Sequence, residues 1–321
     1  MRKIILLVML MVVAGKSFSQ TTSPPTFHPE NLKKLQMQED SLRQYSDSMT
    51  FGDDDGLRSE ACFKFIKKLV RALKTPQSFY YHFDSLKTIS MVYSPDNKFR
   101  IITWGLLRHN GTYRYYGAIQ MNTYKLDLFP LFDYSPLIRN VEDTVCTKDS
   151  WFGCMYYNIV PKIVGTKTYY TLFGWKAQNP RVVKKVMDIL YFDKTKKPVF
   201  GAPLIYYTAS TKPKTMNRFI IEFNKSATVS MNYNDEMQMV VFDHLVTKSE
   251  ADGKPEKSLK PKSYEYFPDG TYEAFEWKND RWEYVESLKN IQYKAAPTPV
   301  PFFDNKKSGG YMKTKSVQIP K

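Results

Sequence analysis

Four histidines, three cysteines and scattered carboxylates carry whatever chemistry this 321-residue chain performs. His28, His82, His109 and His244 stand far apart in the sequence. No G-x-S-x-G elbow, H-E-x-x-H helix, Walker A loop or G-x-G-x-x-G turn occurs, so no catalytic residue, metal ligand or cofactor is assigned. The stretch most like a site is Phe242-Asp243-His244-Leu245, after the apolar run Met239-Val240-Val241. Successive side chains on a strand face opposite ways, so Asp243 and His244 do not pair with each other inside a strand; at a strand end both can serve a cleft. The plainer reading is a strand terminus, Asp243 capping a turn and His244 meeting a backbone carbonyl. Arg100 and Trp104 lie four apart on one strand and share a face. That pairing suits a sugar or a carboxylate, and equally a buried structural contact. Asp133, Asp188, Asp193, Glu222, Asp235, Glu236 and Asp243 are available for glycoside hydrolysis, but that chemistry needs a spatial separation that sequence spacing does not select.

Asp53-Asp54-Asp55-Gly56 begins like a calcium loop. Its glycine comes too early and no closing Glu follows, so a turn and helix N-cap is the expectation. Cys146 and Cys154 stand eight apart around Trp151-Phe152-Gly153, a spacing that suits a small disulfide loop in an oxidising compartment. Cys62 lies in a helical pattern and reads as a buried thiol. No C-x-x-C occurs, which removes the usual redox and zinc-ribbon signals.

The elements that must position these groups follow from composition and period. Aromatics make up 15% and charged residues 25%, which argues against a disordered chain. Three cysteines are too few for a disulfide scaffold, so an apolar core is required. Residues 1–19 read as a signal peptide: Arg2 and Lys3, then the unbroken apolar run Ile4–Ala14, then small residues before Gln20. No later run is long enough to span a bilayer, so the expected product is exported and not transmembrane. Cleavage removes Arg2, Lys3 and Lys16 and leaves 44 cationic against 32 anionic side chains, a net +12. That charge favours anionic partners, although a Lys-rich solvated surface accounts for it too. No Arg–aromatic motif of an RNA-binding sheet occurs, so nucleic acid is not expected.

Residues 20–76 read as a linker and two N-terminal helices, Asn31–Thr50 and Leu57–Lys74. The second carries the stripe Cys62, Ile66, Leu69, Leu73, with its lysines mostly elsewhere. It reads as a helix on a core, the alternative being a basic helix on a membrane. Residues 77–294 read as a β-rich domain, with candidate strands at 86–93, 98–104, 113–121, 155–160, 167–175, 186–192, 204–207, 218–224, 227–233, 238–244, 271–277 and 281–287. A short helix over 182–190 is the alternative for one of them. Phe267-Pro268-Asp269-Gly270 reads as a tight turn. The fold class expected is α+β, mainly β, with antiparallel sheets in a sandwich or an irregular barrel or propeller-like arrangement. Residues 295–321 read as an extended tail.

Ser94-Pro95-Asp96-Asn97-Lys98-Phe99-Arg100-Ile101 with Trp104, then Tyr169-Tyr170-Thr171-Leu172-Phe173-Gly174-Trp175, Val241-Phe242-Asp243-His244-Leu245 and Phe267-Pro268-Asp269-Gly270-Thr271-Tyr272 occur in that order. Together they resemble a family of exported Bacteroidota proteins with no known activity, over about Phe63 to Val285. The resemblance implies the periplasm before the cell surface and supplies no catalytic residues. Asp40-Ser41-Leu42, Asp84-Ser85-Leu86 and Asp143-Thr144-Val145 are similar to that phylum's short O-glycosylation pattern. The function expected is non-catalytic binding of a glycan, an anionic envelope component or a protein partner. Arg100 would supply charge, Trp104 and Trp175 stacking, and Asp243 and His244 hydrogen bonds. A hydrolase of envelope polysaccharide and a structural or assembly subunit are the alternatives, and the oligomeric state stays open.

Overall fold

The computed structural model describes residues 26–209, 212–254, 261–286 and 288; the leader and tail expectations lie outside these residues. The chain opens with α1 (Pro29–Phe51) and α2 (Asp55–Leu73). Proline at the first turn suits α1, where its missing N–H costs nothing. The Asp54 carboxylate accepts from Leu57 N at 2.9 Å and caps α2, so the acidic knot is the expected turn and cap. Leu35, Leu42 and Met49, at steps of seven, form a seam on α1 that packs with Cys62, Phe65 and Leu69 of α2.

Three sheets follow. The first comprises β1 (Ser90–Tyr93), β2 (Phe99–Leu107), β3 (Tyr113–Met121) and β4 (Leu128–Phe132), in that order. The central sheet is built from β5 (Cys146–Thr147), β6 (Met155–Val164), β7 (Lys167–Ala177), β8 (Val182–Phe192) and β9 (Pro198–Phe200). The third sheet contains β10 (Ile205–Tyr207) and β11 (Lys214–Met216). Next, β12 (Arg218–Asn224) returns to pair with β8. Then β13 (Met231–Asn234), β14 (Met239–Thr247), α3 (Lys248–Ala251), β15 (Tyr266–Lys278) and β16 (Arg281–Val285) complete the third sheet. Among the described residues every ladder is antiparallel except β10 against β16. Strand makes up 43% against 22% helix, so the protein is mainly β, and no barrel closes. Open sheets in layers replace the barrel or propeller alternatives.

Alternation along the strands builds the stack. Ile102, Trp104 and Leu106 of β2 face the helices, whereas Phe99 and Ile101 face the central sheet. On β7 and β8, Leu172 and Leu190 join that second core, while Phe173 and Ile189 meet Phe219, Phe242 and Phe275 in the third. The order is helical hairpin, first sheet, central sheet, third sheet. Val182–Phe192 is β8, not a short helix: both faces are covered, so its pattern loses alternation. Leu86 and Ile89 are buried in turns before β1, which starts only at Ser90.

Covering β8 on both faces traps its polar side chains. Asp188 and Arg218 have no exposure and form an ion pair at 3.0 Å across the β8–β12 ladder. Tyr156 Oη donates to Asp188 at 3.2 Å and accepts from Trp151 Nε1 at 3.1 Å. Arg218 also donates to Val141 O at 2.6 Å. Burial disfavours the guanidinium charge, but Asp188 outweighs it and the Arg218 pKa is raised. Arg218→Met, which strands the carboxylate, should cost about 3–5 kcal/mol in urea unfolding. The double variant Asp188→Leu/Arg218→Met should recover most of that loss. Equal losses in both would show that packing, and not the stranded charge, sets the cost.

Candidate ligand-binding site

The structure separates the expected site residues. Arg100 and Trp104 do share a face, but it is the face under the helices. Arg100 has no exposure: its guanidinium donates to Gln120 Oε1 at 2.9 Å, Tyr81 O at 2.7 Å, Tyr93 Oη at 2.6 Å and Ser78 O at 2.9 Å. Burial lowers its pKa, with Tyr93 opposing the shift. Trp104 packs edge-on against Phe65, and Trp175 lies in the core between the first two sheets, each about 3% exposed. None of the three reaches a ligand at the surface; each lies on a strand with a layer packed over it. Cys146 and Cys154 are buried free thiols, so the disulfide is not formed. Burial raises both thiol pKa values. Of the three hydroxyls in the glycosylation-like triplets, that of Ser85 is buried without a partner.

Asp243 and His244 take different partners. Asp243 is buried, with Ser230 N donating to its carboxylate, and burial raises its pKa against the help of Ser230 and Lys185. His244 is half-exposed, and its Nδ1 lies 3.0 Å from Asp269 Oδ2. The expected turn at Phe267–Gly270 is instead part of β15. The ladder slips there: Asp243 pairs with Tyr272 and Leu245 with Pro268, leaving Asp269, Gly270 and Thr271 opposite His244. Gly270 takes φ +88°, which only glycine adopts freely. Asp269 Oδ1 accepts from Thr271 N at 2.9 Å and Thr271 Oγ1 at 2.8 Å. Burial alone would raise the Asp269 pKa; Thr271 and His244 outweigh it and hold it low. Among the described residues His244 Nε2 makes no hydrogen bond. The bulge borders an open hollow of about 260 Å³ lined by Val246, Ala251, Phe267 and Pro268. An oriented imidazole with a free Nε2 can accept a proton or bond a ligand hydroxyl.

A second group of residues went unnoticed in sequence. Lys162 of β6 sits opposite Tyr169 of β7, whose ring lies 5.4 Å from Tyr191 of β8. Lys167 Nζ is 3.5 Å from the Tyr191 ring centre. Lys162 Nζ is surrounded by Trp282 at 5.0 Å, Tyr233 at 5.2 Å and Trp277 at 5.7 Å. Burial lowers the Lys162 pKa. Among the described residues neither lysine has a carboxylate within 4.0 Å. The Tyr169 and Tyr191 hydroxyls make no hydrogen bond among the described residues. The β6–β7 and β8–β9 turns lie at the same end of the central sheet, and the second adds exposed Lys194, Lys196 and Lys197. Half-buried rings, unbonded hydroxyls and unpaired ammonium groups thus share one rim. The Tyr169-Tyr170 doublet hinted at it, since alternation turns one ring inward and one outward. The lysines gave no such signal, because nothing local says which rings they will cover.

Another chemistry-bearing cluster joins Asp133, Ser135 and Lys176. Lys176 Nζ lies 2.6 Å from Gly153 O and 3.1 Å from Ser135 Oγ. Gly153 N donates to Ser135 Oγ at 3.0 Å, and the hydroxyl donates to Asp133. Ser135 therefore has its proton and both lone pairs engaged, which suits a structural knot and not a nucleophile. A Cβ at Gly153 would come within 2.4 Å of the Asp133 carboxyl carbon, so the knot requires glycine.

No family model matches the chain, and no curated protein matches it. Among the described residues no cluster of His, Cys, Asp and Glu fits a metal ion, and no helix is long and apolar enough to cross a membrane.

Burial lowers the Lys176 pKa from 10.5 to about 8, with Asp133 and Cys154 opposing the shift. Between those values the unfolded chain holds a proton that the folded chain has lost, so stability from this group rises with pH. Urea unfolding at about pH 7.5 and about pH 10 should show the native protein gaining roughly 2–3 kcal/mol relative to Lys176→Met. The comparison with the variant removes the opposing effect of buried tyrosines. A parallel pH profile for the two proteins would show the amine to be charged in the fold.

Proposed function

We propose that this is an exported envelope protein of the Bacteroidota kind, periplasmic first, that binds an anionic glycan without turning it over. The observation that carries the reading is the rim of Lys162 and Lys167 over Tyr169, Tyr191, Tyr233 and Trp277, with no carboxylate neutralising the lysines. Rings present apolar faces to sugar planes, and the Tyr169 and Tyr191 hydroxyls are left to bond sugar hydroxyls, whereas that of Tyr233 already bonds Gln238. The ammonium groups attract carboxylate or sulfate on the polymer. Lysines already resting on rings lose less freedom on binding than extended ones, which favours affinity.

The second reading, hydrolysis of an envelope polysaccharide, draws on the His244–Asp269 pair. Asp269, which borders the hollow, orients the half-exposed imidazole through Nδ1 and leaves Nε2 without a hydrogen bond, as a general base requires.

A ligand that binds only the folded state raises the unfolding midpoint. An acidic polysaccharide should raise it more than a neutral polymer of the same backbone. Tyr191→Ala and Lys167→Glu should each weaken binding about ten-fold, or roughly 1.4 kcal/mol, with the fold intact by circular dichroism. Unchanged affinity in both variants would remove the rim as the site. Shortened products that vanish in His244→Ala would establish the hydrolytic reading instead.

A further inference from the structure

The outer face of α2 carries a second feature, on the far side of the stack from the lysine–tyrosine rim. Its inner face is consumed by the core: Ala61, Cys62, Phe65, Leu69, Ala72 and Leu73 are buried. The opposite arc holds Lys64, Lys67, Lys68, Arg71 and Lys74, at helical steps of three and four. One carboxylate shares that arc, Glu60, and Lys64 engages it at 2.7 Å. The remaining acids, Asp53, Asp54 and Asp55, stand at the N-terminal end, where Asp54 caps the helix.

Two large apolar side chains stand on this basic arc in contact with water. Phe63 is 58% exposed and Leu57 51% exposed. Lys67 Nζ lies 4.1 Å over the Phe63 ring and covers only one side of it. Beside the helix, the Arg114 guanidinium of β3 stacks 5.5 Å over Tyr116. A face meant only for solvation would carry the cations without the phenylalanine. A soluble polyanion would use the cations and leave Phe63 and Leu57 in water. An anionic bilayer surface uses both, because lysines meet lipid phosphates while an aromatic ring enters the headgroup boundary.

We infer that the outer face of α2 docks the protein on an anionic lipid surface through Lys64, Lys67, Lys68, Arg71 and Lys74, with Phe63 and Leu57 entering the headgroup layer. The contact is peripheral, since the helix keeps its apolar stripe in the core. It is independent of the glycan rim and holds the rim facing away from the membrane.

The test is co-flotation of the purified protein with vesicles of phosphatidylcholine alone or mixed with phosphatidylglycerol, at low and raised salt. The expected result is binding only to phosphatidylglycerol vesicles and release by salt. The triple variant Lys64→Glu/Lys68→Glu/Arg71→Glu should lose at least ten-fold in partitioning. Phe63→Ser should lose several-fold on vesicles while its retention on a heparin column stays unchanged. All replaced side chains are at the surface, and circular dichroism melting confirms the fold of each variant. Lys167→Glu, which tests the glycan rim, should float as the native protein does, so the two readings fail separately. The inference is overturned if native protein ignores phosphatidylglycerol vesicles, or if the triple variant floats equally well. It is also overturned if Phe63→Ser changes neither readout, which would assign the face to a soluble polyanion.

Discussion

An arginine and an aspartate without solvent exposure hold the middle of the stack together. Arg218 and Asp188 face each other across the β8–β12 ladder, and the groups around them are chosen by that pair. Tyr156 and Trp151 pass a hydrogen bond inward to the carboxylate, and Val141 O receives the guanidinium. A charge in such a place is tolerable only when paired and hydrogen-bonded. The pair therefore fixes the position of β12 on the central sheet and of the 141–144 loop beside it. The free thiols of Cys146 and Cys154 sit in the same region, where burial and the neighbouring Asp188 keep both protonated.

The same constraint recurs wherever a layer covers a polar strand. Arg100 is held by two carbonyls, a glutamine and a tyrosine under the helical hairpin. Lys184 pairs with Glu222, and Lys176 binds the knot of Ser135 and Gly153. At the end of the central sheet that carries the β6–β7 and β8–β9 turns, lysines instead meet half-buried rings. The function proposed lies at that edge of the stack because the buried charges Arg100, Lys176, Lys184, Asp188 and Arg218 are already engaged inside it.

Much of the architecture was legible in the sequence. Leu35, Leu42 and Met49 at helical spacing, and Asp54 before α2, mark the hairpin. Tyr113–Met121 and Arg218–Asn224 are strands with the expected boundaries. Phe267–Gly270 was not legible: Pro and Gly signal a turn locally, while the ladder with β14 absorbs them as a bulge. The site residues were the least legible. Arg100, Trp104 and Trp175 have the chemistry of a sugar site, but their exposure depends on which layer lands on their strand. Asp243 and His244 were correctly kept apart by strand alternation, yet the true partner of His244, Asp269, is 25 residues away.

Local pattern by itself determined the helices, most strands, the antiparallel and mainly β class and the basic balance of charge. These depend on period, turn chemistry and composition, which act within a few residues. Tertiary structure alone decided which rings and charges are inside. A side chain's exposure is set by the element packed against it, and that element comes from elsewhere in the chain. Trp104 and Trp277 are the same residue type on similar strands. One is covered by α2, whereas the other is half-buried beside Lys162, because it packs against the third core without being enclosed by it.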